Sequence, residues 1–188
     1  AAGLTLSNGN RDVAVATPSG SSSWRARGTQ GKSVGQWYFE YAPVATSDTS
    51  GARHAVGVAL STAPLVGTSN RHADARLYLS SGQKANASAS SYGASWDVGD
   101  VIGIALDVDT GEIEFFKNGV SQGVAFTDLA GGTWFPFVAL FSDLQQTTTS
   151  NFGQASFNHT PPAGFAAGWN AVVLVTVALL LWLFAVLA

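Results

Sequence analysis

Short apolar runs separated by turn-forming residues fill the first 165 residues of the chain. Glycine, asparagine and aspartate suit tight turns, and they recur between runs rich in valine, isoleucine and aromatic residues. No stretch here keeps a helical period over more than two turns. The pattern predicts an all-β fold, an antiparallel sandwich of the jelly-roll type. The predicted strands are residues 12–16, 35–41, 54–60, 75–79, 101–107, 112–117, 135–141 and 146–152.

The last 20 residues, 169–188, differ in composition from the rest of the chain. They carry no charge, and apart from the tryptophan indoles their only polar side chains are those of Asn170 and Thr176. Twenty helical residues rise about 30 Å, the thickness of the hydrocarbon core of a bilayer. We therefore predict that residues 166–168 form a short linker to a hydrophobic α-helix that protein or lipid must cover. The residues expected to make these contacts are Trp169, Val173, Leu174, Val177, Leu180, Leu181, Trp182, Phe184 and Leu187.

Residues 26–33, ARGTQGKS, are similar to a relaxed form of the phosphate-binding loop of nucleotide hydrolases. In such a loop a helix starts at the Lys-Ser pair, so that its free N–H groups point at the phosphates. Here a polar, turn-rich run precedes the motif, and the aromatic run QWYFEY follows it. We therefore predict a loop that leads into a strand, with Lys32 exposed to solvent and without a phosphate.

Composition argues against several classes of function. Charged residues make up 11% of the chain, the net charge is −3 and the lysines are far apart, so nucleic acid is not expected as a partner. Cysteine is absent, which excludes disulfides and thiolate chemistry. The three histidines lack metal-site spacing, and no serine has an acid and a base beside it in sequence. We expect no catalytic residue, no metal and no other cofactor.

Residues 92–129 read YGASWDVGDVIGIALDVDTGEIEFFKNGVSQGVAFTDL. The motifs WFPFVALF, NFGQASF and PPAGF follow this segment, and LTLSNGNRDV and RGTQGKSVGQWYFEY precede it. This succession closely resembles the SPRY domain, above all the forms in bacterial and phage proteins, over residues 4–165. The resemblance implies a bent two-sheet sandwich at residues 1–165 that recognises partners through loops at one end and has no catalytic residues. The hydrophobic tail is not part of the family pattern.

Two hairpin bends are predicted within this segment, at residues 109–111 and 118–119, because Gly, Asn and Asp accept positive φ. The carboxylates of Asp107, Asp109 and Glu112 lie close together, but the glycine stands one position early for a calcium loop. We therefore interpret them as part of a hairpin turn. The side chains of Trp96 and Phe115 are expected in the core, where large aromatics bury most area.

Charge is concentrated in the stretch SNRHADARLY, just before a predicted strand. Two interpretations remain open for it. It is either a solvated loop or part of a surface that contacts a protein or glycan ligand. The candidate ligand-binding residues are Arg71, His72, Asp74 and Arg76.

Two non-enzymatic functions are compatible with a recognition domain that carries a hydrophobic helix. In the first, the domain is a structural subunit displayed on a filament or virion-like surface assembly, and the helices of its copies pack together inside. In the second, the helix is a single membrane span that displays a ligand-binding domain. The last basic residue is Lys117, so the span lacks the flanking charges that orient membrane helices. We therefore favour assembly, with a cell-surface, extracellular or virion location, over a single-pass membrane protein.

Overall fold

Two antiparallel sheets pack face to face in the computed structural model, which describes residues 3–15, 23–46, 54–141, 145–169 and the backbone of 174–175. Each sheet has eight strands. Sheet A has the order β1-β2-β14-β4-β10-β11-β12, with β15 paired to β4 in parallel. Its strands are β1 (Leu4–Ser7), β2 (Asp12–Val15), β4 (Gln36–Thr46), β10 (Ile102–Asp107), β11 (Glu112–Lys117), β12 (Val120–Phe126), β14 (Gln146–Asn151) and β15 (Ala166–Ala167).

Sheet B has the order β16-β3-β13-β5-β7-β8-β9, with the short strand β6 also paired to β3. Its strands are β3 (Ser23–Gly28), β5 (His54–Ala59), β6 (Val66–Gly67), β7 (Ala75–Leu79), β8 (Gln83–Ala85), β9 (Ala89–Ser91), β13 (Phe135–Phe141) and β16 (Leu174–Val175). All eight predicted strands lie within or largely within observed strands. The other strands are short, or carry polar residues that hide the alternating pattern.

The main core lies between the two sheets. Successive side chains of a strand point to opposite faces, so one face of each strand supplies this core. Sheet A contributes Phe39 and Ile104, and sheet B contributes Val56 and Leu140. Trp96 and Phe115 are 3% and 0% exposed, which confirms that both lie in the core.

The predicted hairpin bends are also present. At the β11–β12 turn Asn118 and Gly119 have φ of 51° and 78°, and Gly111 has φ of 80° at the β10–β11 turn. Only glycine and, less readily, asparagine adopt such values without strain. Asn118 Oδ1 also accepts a hydrogen bond of 2.8 Å from the backbone nitrogen of Val101. The turn is therefore tied to the start of the adjacent strand.

Each sheet has a segment that crosses its outer face. The strap, residues 60–74, joins β5 to β7 and packs Ala63 and Leu65 into a second apolar cluster on the outside of sheet B. The cover, residues 152–169, has both ends, Phe152 and Trp169, buried in the main core. Between these ends it crosses the outside of sheet A, where the ring of Phe157 meets that of Tyr38 edge to face at 5.1 Å. Both outer faces are therefore partly shielded from solvent.

The prediction of a C-terminal helix is contradicted, since the described residues contain no α-helix. Trp169, assigned to that helix, is fully buried in the sandwich, 5.3 Å from the ring of Phe39. Its indole nitrogen donates to the carbonyl oxygen of Gln30 at 2.8 Å. Leu174 and Val175 form β16, which pairs with the outer edge of β3. Apolar content predicted a covered segment, but it did not reveal that the sandwich itself offers a core site and a strand edge.

The remaining residues of the predicted helix lie outside the described residues. No helix in the described part of the chain is long and apolar enough to cross a bilayer. Of the residues expected to make the contacts of this helix, seven lie outside the described part: Val173, Val177, Leu180, Leu181, Trp182, Phe184 and Leu187.

Candidate functional site

Two arginines of β3 fix the strap on sheet B. Arg25, only 3% exposed, donates from its terminal nitrogens to the carbonyl oxygens of Pro64 at 3.0 Å, of Arg71 at 3.2 Å and of Ser69. Arg27 donates to the carbonyl oxygen of Ala63 at 2.8 Å. Burial lowers the pKa of both guanidinium groups from its usual high value. Since charged donors make stronger hydrogen bonds than neutral ones, the backbone of the strap has a defined path.

Arg76, one of the four candidate ligand residues, is engaged within the domain. Its guanidinium makes a two-point ion pair with Asp128, at 2.8 Å and 2.6 Å, and its side chain is 12% exposed. It also lies over the rings of Phe126 and Trp134, at 5.6 Å and 5.4 Å. The hydrogen bond from Arg76 lowers the pKa of Asp128. This arrangement ties the start of β7 to the β12–β13 connection.

His72 and Asp74 shape the end of the strap. The backbone nitrogen of Asp74 donates to His72 Nδ1 at 3.1 Å, and the hydroxyl of Thr62 donates to Asp74 Oδ2 at 2.7 Å. The backbone nitrogen of Ala75 donates to the carbonyl oxygen of His72 at 3.1 Å. Both side chains are half-buried in this turn.

Arg71 is the one candidate residue that lines a cleft on the outside of sheet B. The cleft has a volume of about 430 Å³ and is open to solvent. The strap forms one wall, the β7–β8 turn forms another, and apolar side chains of β7, β9 and β13 also line it. The lining residues are Thr68, Ser69, Asn70, Arg71, Leu79, Ser80, Ser81, Gln83, Ala89 and Phe141.

The structure therefore separates the four candidates. Arg71 faces the cleft, His72 and Asp74 form a turn, and Arg76 pairs with Asp128. Whether they contact a ligand stays a prediction. The sequence did not indicate the other walls of the cleft, because they come from three separate strands and turns. The polar run at residues 80–91 is a sequence signal that could have indicated an exposed surface there.

The loop that is similar to a phosphate-binding loop leads into β4, as predicted. The backbone of Lys32 pairs with Trp134, at 2.8 Å and 2.9 Å. We expected its ammonium group to be exposed to solvent. Instead, the group lies 3.5 Å from the centre of the Trp37 ring, which covers one side of it. Burial lowers the pKa of this lysine. No helix starts at Ser33, so the backbone forms no phosphate cradle there.

At the β10–β11 turn, where the sequence clusters carboxylates, Asp107 accepts hydrogen bonds from the backbone and from a side chain. Asp107 Oδ1 accepts hydrogen bonds from the backbone nitrogens of Asp109 and Thr110, both at 3.0 Å. Its Oδ2 accepts from the Gln36 amide at 2.8 Å. Burial acts to raise the pKa of Asp107, but these hydrogen bonds lower it overall. Across the residues that the structure describes, no three His, Asp or Glu side chains are placed to hold a metal ion.

Comparison with known proteins decides the family. A family model of the SPRY domain matches residues 36–155. The chain belongs to the SPRY domain family. Its structure is also similar to the crystal structure of the SPRY domain of human HERC1, with a TM-score of 0.70 and 20% sequence identity. The superposition covers 81% of this chain and 94% of the other, so the two proteins share a fold.

Several curated proteins contain a SPRY segment similar to this one. E3 ubiquitin-protein ligase RKP of Arabidopsis thaliana is 40% identical over 86 residues, which is 44% of this chain and 6% of that protein. ATP-dependent RNA helicase Ddx1 of Drosophila melanogaster is 39% identical over 83 residues, or 43% of this chain and 11% of the helicase. The chain thus spans only a small part of these relatives. They come from a plant and a fly, and nothing here supports the expected bacterial or phage type.

Proposed function

We propose that this SPRY domain is a non-catalytic recognition module that binds an exposed segment of a partner protein in the Arg71 cleft. SPRY domains are generally protein interaction modules. The ligase and helicase activities in the names of the relatives belong to those proteins, of which the aligned segment is 6% and 11%. This proposal does not include filament assembly or a membrane span, because both required the C-terminal helix.

The cleft itself is the observation that carries this proposal. Its volume of about 430 Å³ lies within the range of roughly 300–1,000 Å³ typical of ligand sites. Hydroxyl and amide groups line its walls, and these match the donors and acceptors of a peptide backbone. Leu79, Ala89 and Phe141 add apolar surface against which a side chain can pack.

Selection from a displayed library of random linear peptides tests the proposal. Ser81→Trp places a large side chain in the cleft, and we expect it to weaken binding of the selected peptides by about tenfold or more. Ser7→Trp is the matched control, because Ser7 is exposed on β1 of the other sheet. Binding that survives Ser81→Trp unchanged, or a selection that yields no binder, contradicts the proposal.

A further inference from the structure

The described lining of the Arg71 cleft carries a positive charge and no negative charge. Ten of the residues that the structure describes line the cleft, and Arg71 is the only charged one among these. The other lining residues carry hydroxyl, amide or apolar side chains. A ligand that brings a negative charge therefore meets a cation and, among the described lining residues, no competing carboxylate.

The backbone of Arg71 is fixed, while the terminal nitrogens of its side chain make no hydrogen bond to any described residue. Its carbonyl oxygen accepts from buried Arg25 at 3.2 Å, and its backbone nitrogen donates to the Ser69 hydroxyl at 3.2 Å. Arg71 Nε also lies 3.4 Å from that hydroxyl. Within the described part of the chain its two terminal nitrogens have no hydrogen-bond partner. A planar guanidinium with free terminal nitrogens suits two-point binding of a carboxylate.

We infer that the cleft selects partner segments in which a carboxylate lies close to an apolar side chain. This inference rests on the proposed function and names the partner chemistry of the same site. The carboxylate pairs with Arg71, and the apolar side chain packs on Leu79 and Phe141. The carboxylate has two possible sources, an Asp or Glu side chain and the C-terminus of the partner. Both present the same group to the guanidinium.

The test uses peptides selected by the wild-type domain. We expect Asp or Glu, next to an apolar residue, in the selected sequences. Changing that Asp to Asn, or Glu to Gln, should weaken binding about tenfold, as loss of one charge-assisted hydrogen-bond pair does. Arg71→Ala should cause the same loss, and the two changes together should cost no more than either alone. Amidation of the peptide C-terminus separates the two sources of carboxylate.

Two further variants guard against indirect effects. Arg11→Ala removes an equal charge from the β1–β2 turn of the other sheet, and we expect it to leave peptide binding unchanged. Arg71→Glu should lose the acidic peptides and regain binding when the peptide carboxylate is replaced by Lys. The urea midpoint of each variant shows that it is folded, since the Arg71 side chain is exposed.

The outcomes separate the two proposals. Peptides that lack a carboxylate but lose binding with Ser81→Trp overturn the charge inference and leave the recognition cleft in place. Acidic peptides that bind Arg71→Ala as well as wild type also overturn the charge inference. If Ser81→Trp has no effect, the cleft is not the recognition surface and both proposals fail.

Discussion

The strap on sheet B and the cover on sheet A are held by side chains of opposite charge. Arg25 donates to carbonyl oxygens of the strap, whereas Glu40, which is 1% exposed, accepts from the cover. The backbone nitrogens of Asn158 and His159 donate to Glu40 at 2.8 Å, and the amide of Asn158 donates at 3.0 Å. Within the described part of the chain, hydrogen bonds, mostly to backbone groups, compensate each buried charge, and no counter-ion does so.

This difference in sign has an energetic consequence. A carbonyl oxygen has two lone pairs and tolerates a missing partner, whereas an orphaned N–H is rare in folded proteins. The Tyr38 hydroxyl, at 3.3 Å, completes four hydrogen bonds to Glu40, but Nε of Arg25 has no partner among the described residues. We therefore expect the cover to depend more on Glu40 than the strap depends on Arg25.

The largest effect is expected from Glu40→Ala. It removes the charged acceptor of the backbone nitrogens of Asn158 and His159, and a hydrogen bond to a charged group contributes about 1.5–3 kcal/mol. We expect the free energy of unfolding to fall by about 3–4 kcal/mol in urea titrations. Glu112→Ala, at an exposed glutamate of β11, is the control and should stay within about 0.5 kcal/mol of wild type. A loss below about 1 kcal/mol for Glu40→Ala would show that the cover is held by other contacts.

The domain should lose stability in acid because of His54, independently of the cover. His54 is fully buried, its Nδ1 shares a hydrogen bond of 2.6 Å with the Tyr41 hydroxyl, and burial lowers its pKa to about 4. The negative charge of Asp97 offsets only part of this shift. An unfolded histidine has a pKa of about 6.5, so the unfolded chain binds the proton first. Stability is therefore complete above about pH 6.5 and falls as the pH drops towards 4.

That window gives the second prediction. The drop in the pKa of His54 from 6.5 to about 4 corresponds to about 3 kcal/mol of stability lost between those two pH values. His54→Gln should remove most of this pH dependence, measured as the free energy of unfolding across the window. His72→Gln, at a half-buried histidine of the strap, should retain it. An unchanged acid dependence in His54→Gln would assign the effect to other groups.

Arg25→Met should have a smaller effect than Glu40→Ala. The variant keeps the apolar stem and removes the hydrogen bonds to the strap, and we expect a loss of about 2 kcal/mol. Hydrogen exchange should increase at the strap amides of Leu60 and Ala63, which donate within or next to the strap. Arg11→Met is the matched control on the other sheet. A cost equal to that of Glu40→Ala would refute the argument from carbonyl tolerance.

The sequence predicted the sandwich better than it predicted these two segments. Strands such as β5 and β10 are continuous apolar runs, and they were located to within about one residue. In contrast, β3 reads SWRARG, and its arginines concealed a strand because they face the strap. Apolar composition alone also could not show that Trp169 fills the core of the sandwich.

The cleft was predictable only in part. Local concentration of charge drew attention to Arg71, but the same signal included Arg76, whose partner Asp128 is 52 residues away in sequence. Whether a charged side chain is paired or free depends on contacts between distant segments, and one sequence does not reveal them. The polar wall at Ser81 and the apolar surface of Phe141 are likewise joined only by the fold.

The smallest effect is expected at Lys32, which supports the end of the cover indirectly. Its ammonium group lies over the ring of Trp37, which in turn is 6.3 Å from the ring of Trp169. A partly exposed cation–π contact is worth about 0.5–1 kcal/mol, so Lys32→Ala should lower the unfolding free energy by no more than that. Lys32→Met keeps the stem and separates loss of the charge from loss of packing.

ATP should leave the melting temperature of wild type and Lys32→Ala unchanged, because no helix N-terminus follows the loop. An ATP-dependent rise in the wild type that disappears in Lys32→Ala would instead make this loop a nucleotide site, and the charge of Lys32 would then serve phosphate binding more than support of the cover.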